Sequence, residues 1–256
     1  MMSAKHITAQ IKDGLGSITL NRPPVNVLNI EMMDEINEVL TGWVGNNDLK
    51  LVLFQAEGKC FSAGVDVGEH MGDLVSKMIE SFHGMFRLID KLGAVTVSSV
   101  YGSCLGGGCE LAIFCDLVIA DESAKFGQPE IQVGVLPPIA AQIMPRIIGR
   151  KAAMDLILSG RIISAQEAHA MGLVNKVVAK GELARETEEF IKPYLSLSAE
   201  VLRITKKTVK AGLMDELEPS LGIIEDIYLN ELMRTADAHE GLKAFLEKRS
   251  PEWKNR

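Results

Sequence analysis

Glu110 and Glu130 each follow a glycine-containing turn, a setting in which a carboxyl could move protons or serve as an ordinary cap or loop group. Glu110 ends the run Gly102-Ser103-Cys104-Leu105-Gly106-Gly107-Gly108-Cys109-Glu110, and Glu130 lies in Phe126-Gly127-Gln128-Pro129-Glu130-Ile131. Three glycines between a strand pattern and a helical one can bring bare backbone N–H groups against a ligand, where a helix start favours negative charge. The triplet serves equally as a tight turn or a close helix contact. No Lys-Ser/Thr pair follows it and it does not fit GxGxxG, so it is neither kind of nucleotide loop. A second turn, Cys60-Phe61-Ser62-Ala63-Gly64-Val65-Asp66, follows another strand pattern. Two such turns at neighbouring strand ends could each offer one N–H to a single carbonyl oxygen, the geometry that stabilises an enolate.

Leu111, Ala112, Ile113 and Phe114 give Glu110 few polar neighbours, which predicts a cavity-facing carboxyl with a shifted pKa. A solvated cap at a helix start is the competing reading. Glu130, taken alone, reads as a loop carboxylate held by Pro129. His6, His70, His83, His169 and His239 are scattered without HExxH or His-x-His spacing, so surface or satisfied core histidines are expected and a metal site is not. No GxSxG elbow anchors a hydrolase triad.

The elements that must position these residues follow from periodicity. Ser17–Leu20, Leu51–Gln55, Val95–Val100 and Leu117–Ala120 are apolar runs bounded by turn residues and predict strands. Ile30–Leu40 and Val75–Leu92 carry helix-period apolar positions (Met33, Ile36, Val39, Leu40; Met78, Ile79, Phe82, Phe86, Ile89), so β–α units packed in layers are expected. Beyond about Arg150 helix signals dominate, including a capping box at Ser164-Ala165-Gln166-Glu167. Leu217–Phe245 has apolar faces (Leu221, Ile224, Ile227, Tyr228, Leu232) larger than one small domain would cover, which predicts a subunit interface.

A chain of 256 residues, 47% hydrophobic, can bury a full core as one main domain. Its formal charge of −7, without a Lys or Arg run, argues against nucleic-acid or anionic-membrane partners and for a small soluble ligand. The start lacks a secretion-signal pattern and no stretch reaches the ~18 apolar residues of a membrane span, so a cytoplasmic protein is expected. Cys60, Cys104, Cys109 and Cys115 read as reduced, mostly buried thiols.

Together the motifs resemble the enoyl-CoA hydratase/isomerase (crotonase) superfamily over essentially the whole chain. The matching pieces run in family order: Ile18-Thr19-Leu20-Asn21-Arg22-Pro23, Phe61-Ser62-Ala63-Gly64-Val65-Asp66, Gly106-Gly107-Gly108-Cys109-Glu110-Leu111-Ala112, and Cys115-Asp116. Gly127-Gln128-Pro129-Glu130 follows, then Ser164-Ala165-Gln166-Glu167-Ala168 with Gly172-Leu173-Val174, and Glu240-Gly241 with Ala244-Phe245-Leu246-Glu247-Lys248-Arg249. The resemblance implies an α/β fold, a crotonase/ClpP-like spiral of ββα units over 1–195 holding the site, and a helical oligomerisation region over 196–256. It implies homotrimers or homohexamers, and an acyl-CoA whose thioester oxygen lies between the N–H groups of Val65 and Gly107. It further implies that Glu110 activates water and Glu130 handles the second proton. Val25, Val27, Ala63, Asp66, Gly106 and Pro137 would contact the substrate, with Lys248 at a CoA phosphate. No cofactor is implied, since coenzyme A is part of the substrate.

Within the superfamily the chain is similar to the cyclohexa-1,5-diene-1-carbonyl-CoA hydratases of anaerobic benzoyl-CoA degradation. That likeness rests on Gly68-Glu69-His70-Met71, Cys104–Gly108, Gly127–Val135, Tyr228-Leu229-Asn230-Glu231-Leu232-Met233 and the ending Trp253-Lys254-Asn255-Arg256. Where ordinary members carry a glycine-rich turn after the second glutamate, this chain has Leu136-Pro137-Pro138-Ile139-Ala140-Ala141, a stiffer wall for the acyl pocket. General enoyl-CoA hydratases or isomerases of fatty-acid β-oxidation are the alternative, and a non-catalytic acyl-CoA- or RNA-binding relative is opposed by the acidic charge and the intact glutamate pair.

Overall fold

A computed structural model describes residues 2–211 and 217–252. Strands β1 (Met2–Ser3), β2 (Ile7–Lys12) and β3 (Leu15–Leu20) form an antiparallel meander, and helix α1 (Ile30–Trp43) leads to β4 (Leu51–Ala56). Helix α2 (Leu74–Lys91) precedes β5 (Val95–Val100), β6 (Ser103–Leu105) and α3 (Gly107–Phe114). Next come β7 (Leu117–Asp121), β8 (Lys125–Gly127), a 3-10 turn at Pro129–Val133, α4 (Pro138–Ile148) and α5 (Arg150–Ser159). β9 (Ile162–Ser164), α6 (Ala165–Met171), β10 (Lys176–Val178), α7 (Leu183–Leu195) and α8 (Ala199–Ala211) follow. The chain continues through α9 (Leu217–Asp226), a π-helical turn at Ile227–Glu231, a 3-10 turn at Leu232–Arg234 and α10 (Ala236–Leu246).

The main sheet runs β1-β2-β3-β4-β5-β7-β10, parallel from β3 onward, and a second sheet runs β6-β8-β9. A strand of the first sheet, a short strand of the second and then a helix recur as β5-β6-α3 and as β7-β8 followed by the 3-10 turn and α4. The isolated parallel bridge Ser62↔Cys104 adds the same motif between β4 and α2. This is the expected layered β–α arrangement, with consecutive units placing their turns side by side.

Alternation along the strands explains the two apolar layers. Leu51, Leu53, Val95, Val97, Ile119 and Val178 point toward Ile191 of α7, while Val52, Phe54, Val100, Val118 and Ala120 join the main core under α1 and α2. Helix α1 starts at Asn29, whose side chain accepts from Met32 N at 3.2 Å, and buries the stripe Ile30, Met33, Ile36, Val39 and Leu40. The Asp116 carboxylate of the Cys115-Asp116 motif accepts from Thr96 N (2.7 Å) and pairs with Lys206 (2.6 Å), fastening the β5 and α8 regions together.

Two expectations are corrected. Leu221 and Tyr228 are buried inside the subunit, in the same apolar cluster as the main sheet, so that part of the C-terminal face is covered by its own chain. Leu232 is half-buried against the same core; the side chains of Ile224 and Ile227, and Trp253–Arg256, lie outside the described residues. At α6 only half the capping box forms: Ser164 accepts from Glu167 N at 3.1 Å, but the Glu167 carboxylate turns to Arg161 at 2.6 Å. A full guanidinium charge outcompetes a single amide for that carboxylate. All four cysteines are free and buried.

Candidate active site

Three turns are stitched together where the spiral's units meet. Leu105 N donates to Ser62 O (3.0 Å), Ser62 N to Ser103 O (3.0 Å), and Gly106 N to Gly127 O (2.9 Å). The segment 25–28 lies against 63–66 through Ala63 N to Val25 O (3.0 Å), Leu28 N to Gly64 O (2.8 Å) and Asp66 N to Leu28 O (2.9 Å). These bonds bring Val25, Val27, Ala63, Val65 and Asp66 alongside Gly106 and Gly107. Asp66 caps the short 3-10 turn Val67–His70 and faces Arg22 at 3.7 Å. Lys248 is not part of this cluster; it stands exposed beyond α10 with φ 55°.

Close approach accounts for the glycines. A Cβ on Gly107 would lie 2.5 Å from Val65 Cγ2 and 2.9 Å from Phe82 Cε2, and one on Gly106, where φ is 52°, would lie 2.8 Å from Glu130 Oε1. Val65 N–H and Gly107 N–H have no backbone acceptor among the described residues. The parallel bridge to Leu28 uses the groups flanking Val65 and turns the Val65 amide away from it. Gly107 opens α3, so its amide is one of the free donors of a helix start.

Glu110, one turn into α3, is 1% exposed. Its Oε1 accepts from Ile139 N at 2.7 Å and Ala140 N at 2.8 Å, the first amides after Pro138 at the start of α4. Proline fits that first helical position, where an N–H has no intrahelical partner to lose. Burial raises the Glu110 pKa to about 7, against the two amide bonds, which favour the ionised form. Glu130 is pushed well above the usual carboxylate range, first by burial of its carboxyl and then by the charge of Glu110. It lacks the paired amides that hold Glu110, so Glu110 is the more readily ionised of the two.

Gln128 has no counterpart among the residues singled out from sequence. It is fully buried, with the end of its amide 3.2 Å from Oε1 and 3.3 Å from Oε2 of Glu130, close enough to share a hydrogen bond with that carboxyl. A long polar side chain two residues before a glutamate, in an otherwise apolar stretch, was the available signal. Pro137 is buried at the entry to α4. A cleft of about 920 Å³, lined by Ile89, Asp90, Ile113, Arg146 and Lys206 among others, has neither glutamate in its wall and is separate from this site. Among the described residues no group of three or more His, Cys, Asp or Glu is clustered as a metal site, and no helix is long and apolar enough to cross a membrane.

The burial of Glu110 has a sign that can be measured. A carboxyl whose pKa is higher folded than unfolded stabilises the fold while protonated; that contribution is whole below about 4.5 and is lost as pH rises through about 7. The displacement corresponds to about 3 kcal/mol. Glu110→Gln keeps an oxygen for Ile139 N and Ala140 N but cannot ionise. It is expected to match the parent near pH 4.5 and to exceed its stability by up to about 3 kcal/mol at pH 8, read from urea unfolding. Parallel pH curves would remove the buried-charge reading.

The fold, the abutting glycine turns and the two glutamates beside them define a class, and comparison with known proteins gives it a name: the chain belongs to the enoyl-CoA hydratase/isomerase family, whose model matches residues 10–256. The sequence-expected crotonase spiral is therefore its fold. Among its relatives, the cyclohexa-1,5-dienecarbonyl-CoA hydratase of Thauera aromatica is 39% identical, over 96% of this chain and 95% of that protein. The crotonyl-CoA hydratase of Syntrophomonas wolfei is 34% identical over 97% of each. The crystal structure of an enoyl-CoA hydratase from Mycobacterium avium subsp. paratuberculosis superposes with a TM-score of 0.88 at 28% identity, covering 99% of this chain and all of that one.

Proposed function

We propose that this chain, an enzyme of the enoyl-CoA hydratase type, adds water to cyclohexa-1,5-diene-1-carbonyl-CoA, with Glu110 as base, Glu130 as acid, and the Val65 and Gly107 N–H groups on the thioester oxygen. The observation that carries the reading is the unequal environment of a fully buried carboxyl and a half-buried one: paired amides favour ionised Glu110, while desolvation and the neighbouring carboxylate favour the protonated form of Glu130. Two carboxyls biased to opposite protonation states are what acid and base roles require. Glu110 takes a proton from water as its oxygen bonds to the β-carbon. The displaced π electrons reach the thioester oxygen, where the two N–H groups stabilise the dienolate. Glu130 then gives its proton to the far end of that dienolate, producing 6-hydroxycyclohex-1-ene-1-carbonyl-CoA. The two amides and two carboxyls supply each of these steps without a cofactor beyond the coenzyme A of the substrate.

Val25, Val27, Ala63, Asp66, Gly106 and Pro137 are assigned to the walls around the thioester and acyl group, and Lys248 to a CoA phosphate. Exposed apolar residues on α5 (Met154, Leu158) and α8 (Val201, Ile204, Val209) support a homotrimer or homohexamer, which we place in the cytoplasm. The cyclic substrate is favoured over a linear one by the Thauera relative and by the wall Leu136-Pro137-Pro138-Ile139. Two prolines and a β-branched residue leave that wall little freedom to open for a long chain. The kcat/KM for the ring dienoyl-CoA is expected to exceed that for crotonyl-CoA by more than about tenfold, a difference of ~1.4 kcal/mol that pocket shape can supply. Equal or better turnover of crotonyl-CoA would favour a general enoyl-CoA hydratase instead.

A further inference from the structure

Tyr228 is the bulkiest of the fully buried side chains and belongs to the π-helical turn at Ile227–Glu231, an irregularity that recurs at functional sites. Its ring packs tilted against His70 with centroids 6.4 Å apart. His70 is itself fixed, donating from Nδ1 to Asp66 O at 2.8 Å, so the tyrosine is seated against the end of the turn that carries Val65. The Tyr228 hydroxyl has no hydrogen-bond partner among the described residues. It lies within electrostatic reach of the Glu130 and Glu110 carboxyls, yet it bonds to neither.

A phenylalanine would fill the same volume without stranding a donor, and a buried donor without an acceptor opposes folding. The acceptor that suits this position is one that arrives with the reactants. We propose that the Tyr228 hydroxyl donates a hydrogen bond to the oxygen that water places on the β-carbon, making it a specificity-determining residue for β-oxygenated acyl groups. This rests on the hydratase reading above. The polar contacts of the site then number three kinds: amides on the thioester oxygen, carboxyls on the protons, and a phenol on the incoming oxygen.

The test compares binding of butyryl-CoA with acetoacetyl-CoA, which carries a β-oxygen and cannot be dehydrated, in the parent and in Tyr228→Phe. The expected result is a loss of about five- to tenfold in the preference for acetoacetyl-CoA, the size of one hydrogen bond. Butyryl-CoA affinity should be unchanged and thermal stability should not fall. An unchanged preference, or an equal loss for both ligands, would overturn the inference. No turnover is needed: a parent protein that hydrates no enoyl-CoA defeats the hydratase reading, while the binding ratio decides the role of Tyr228 separately.

Discussion

Glu110→Gln and Glu130→Gln are each expected to lower kcat by at least about 10²-fold while leaving acyl-CoA binding in place, the loss typical of removing a positioned acid or base. Glutamine preserves the shape of each side chain. At position 110 it still accepts from Ile139 N and Ala140 N, and at position 130 its carbonyl can still accept from Gln128, so neither turn has a reason to move. What is lost is the exchangeable proton site. The parent enzyme's kcat/KM should rise with pH through about 7 as Glu110 ionises, and that rise should vanish in Glu110→Gln. Because the two carboxyls interact, the profile reports the pair rather than one residue. Near-full activity of either variant would dismiss the two-carboxylate mechanism.

Gly107→Ala is expected to cost about 10²- to 10³-fold in kcat/KM, the range for losing one oxyanion donor. The added methyl would meet Val65 Cγ2 at 2.5 Å and the Phe82 ring at 2.9 Å and 3.1 Å. Phe82 has little room to yield, since it packs edge-on to Phe86 at 4.9 Å and Phe86 in turn on Phe114 at 5.0 Å. The strain therefore falls on the Val65 turn and separates the two amides. Steady-state kinetics combined with near-ultraviolet circular dichroism checks this: native-like packing with activity at the parent's level would show that the two amides do not act together.

The sequence was most informative where one residue type answers a local physical demand. Apolar runs bounded by turn residues mark β4, β5 and β7, and period-3.6 apolar positions mark α1 and α2, each to within a few residues, because burial of the strands and of one helix face sets these patterns. The glycine triplet was visible, but its reasons were not: Gly106 faces Glu130 and Gly107 faces Val65, contacts made only when separate units stack. The amides that hold Glu110 come from Ile139 and Ala140, some thirty positions along the chain. Backbone donors carry no sequence signature. Gln128 was quoted inside a motif without a role, since its target becomes a neighbour only through the turn that follows it. In the apolar tail, periodicity shows that a face is buried but not what buries it, and Leu221 and Tyr228 are covered by their own subunit.

The most direct test of the central claim is to incubate the purified protein with cyclohexa-1,5-diene-1-carbonyl-CoA and with crotonyl-CoA in ¹⁸O-labelled water and follow the thioesters by mass spectrometry. The expected result is a product that has gained one molecule of labelled water with the CoA ester intact, formed by the parent and at least about 10²-fold more slowly by Glu110→Gln and Glu130→Gln. A product of unchanged mass, release of free CoA, or no reaction with either thioester would contradict the assignment of Glu110 and Glu130 to the hydration of an enoyl-CoA.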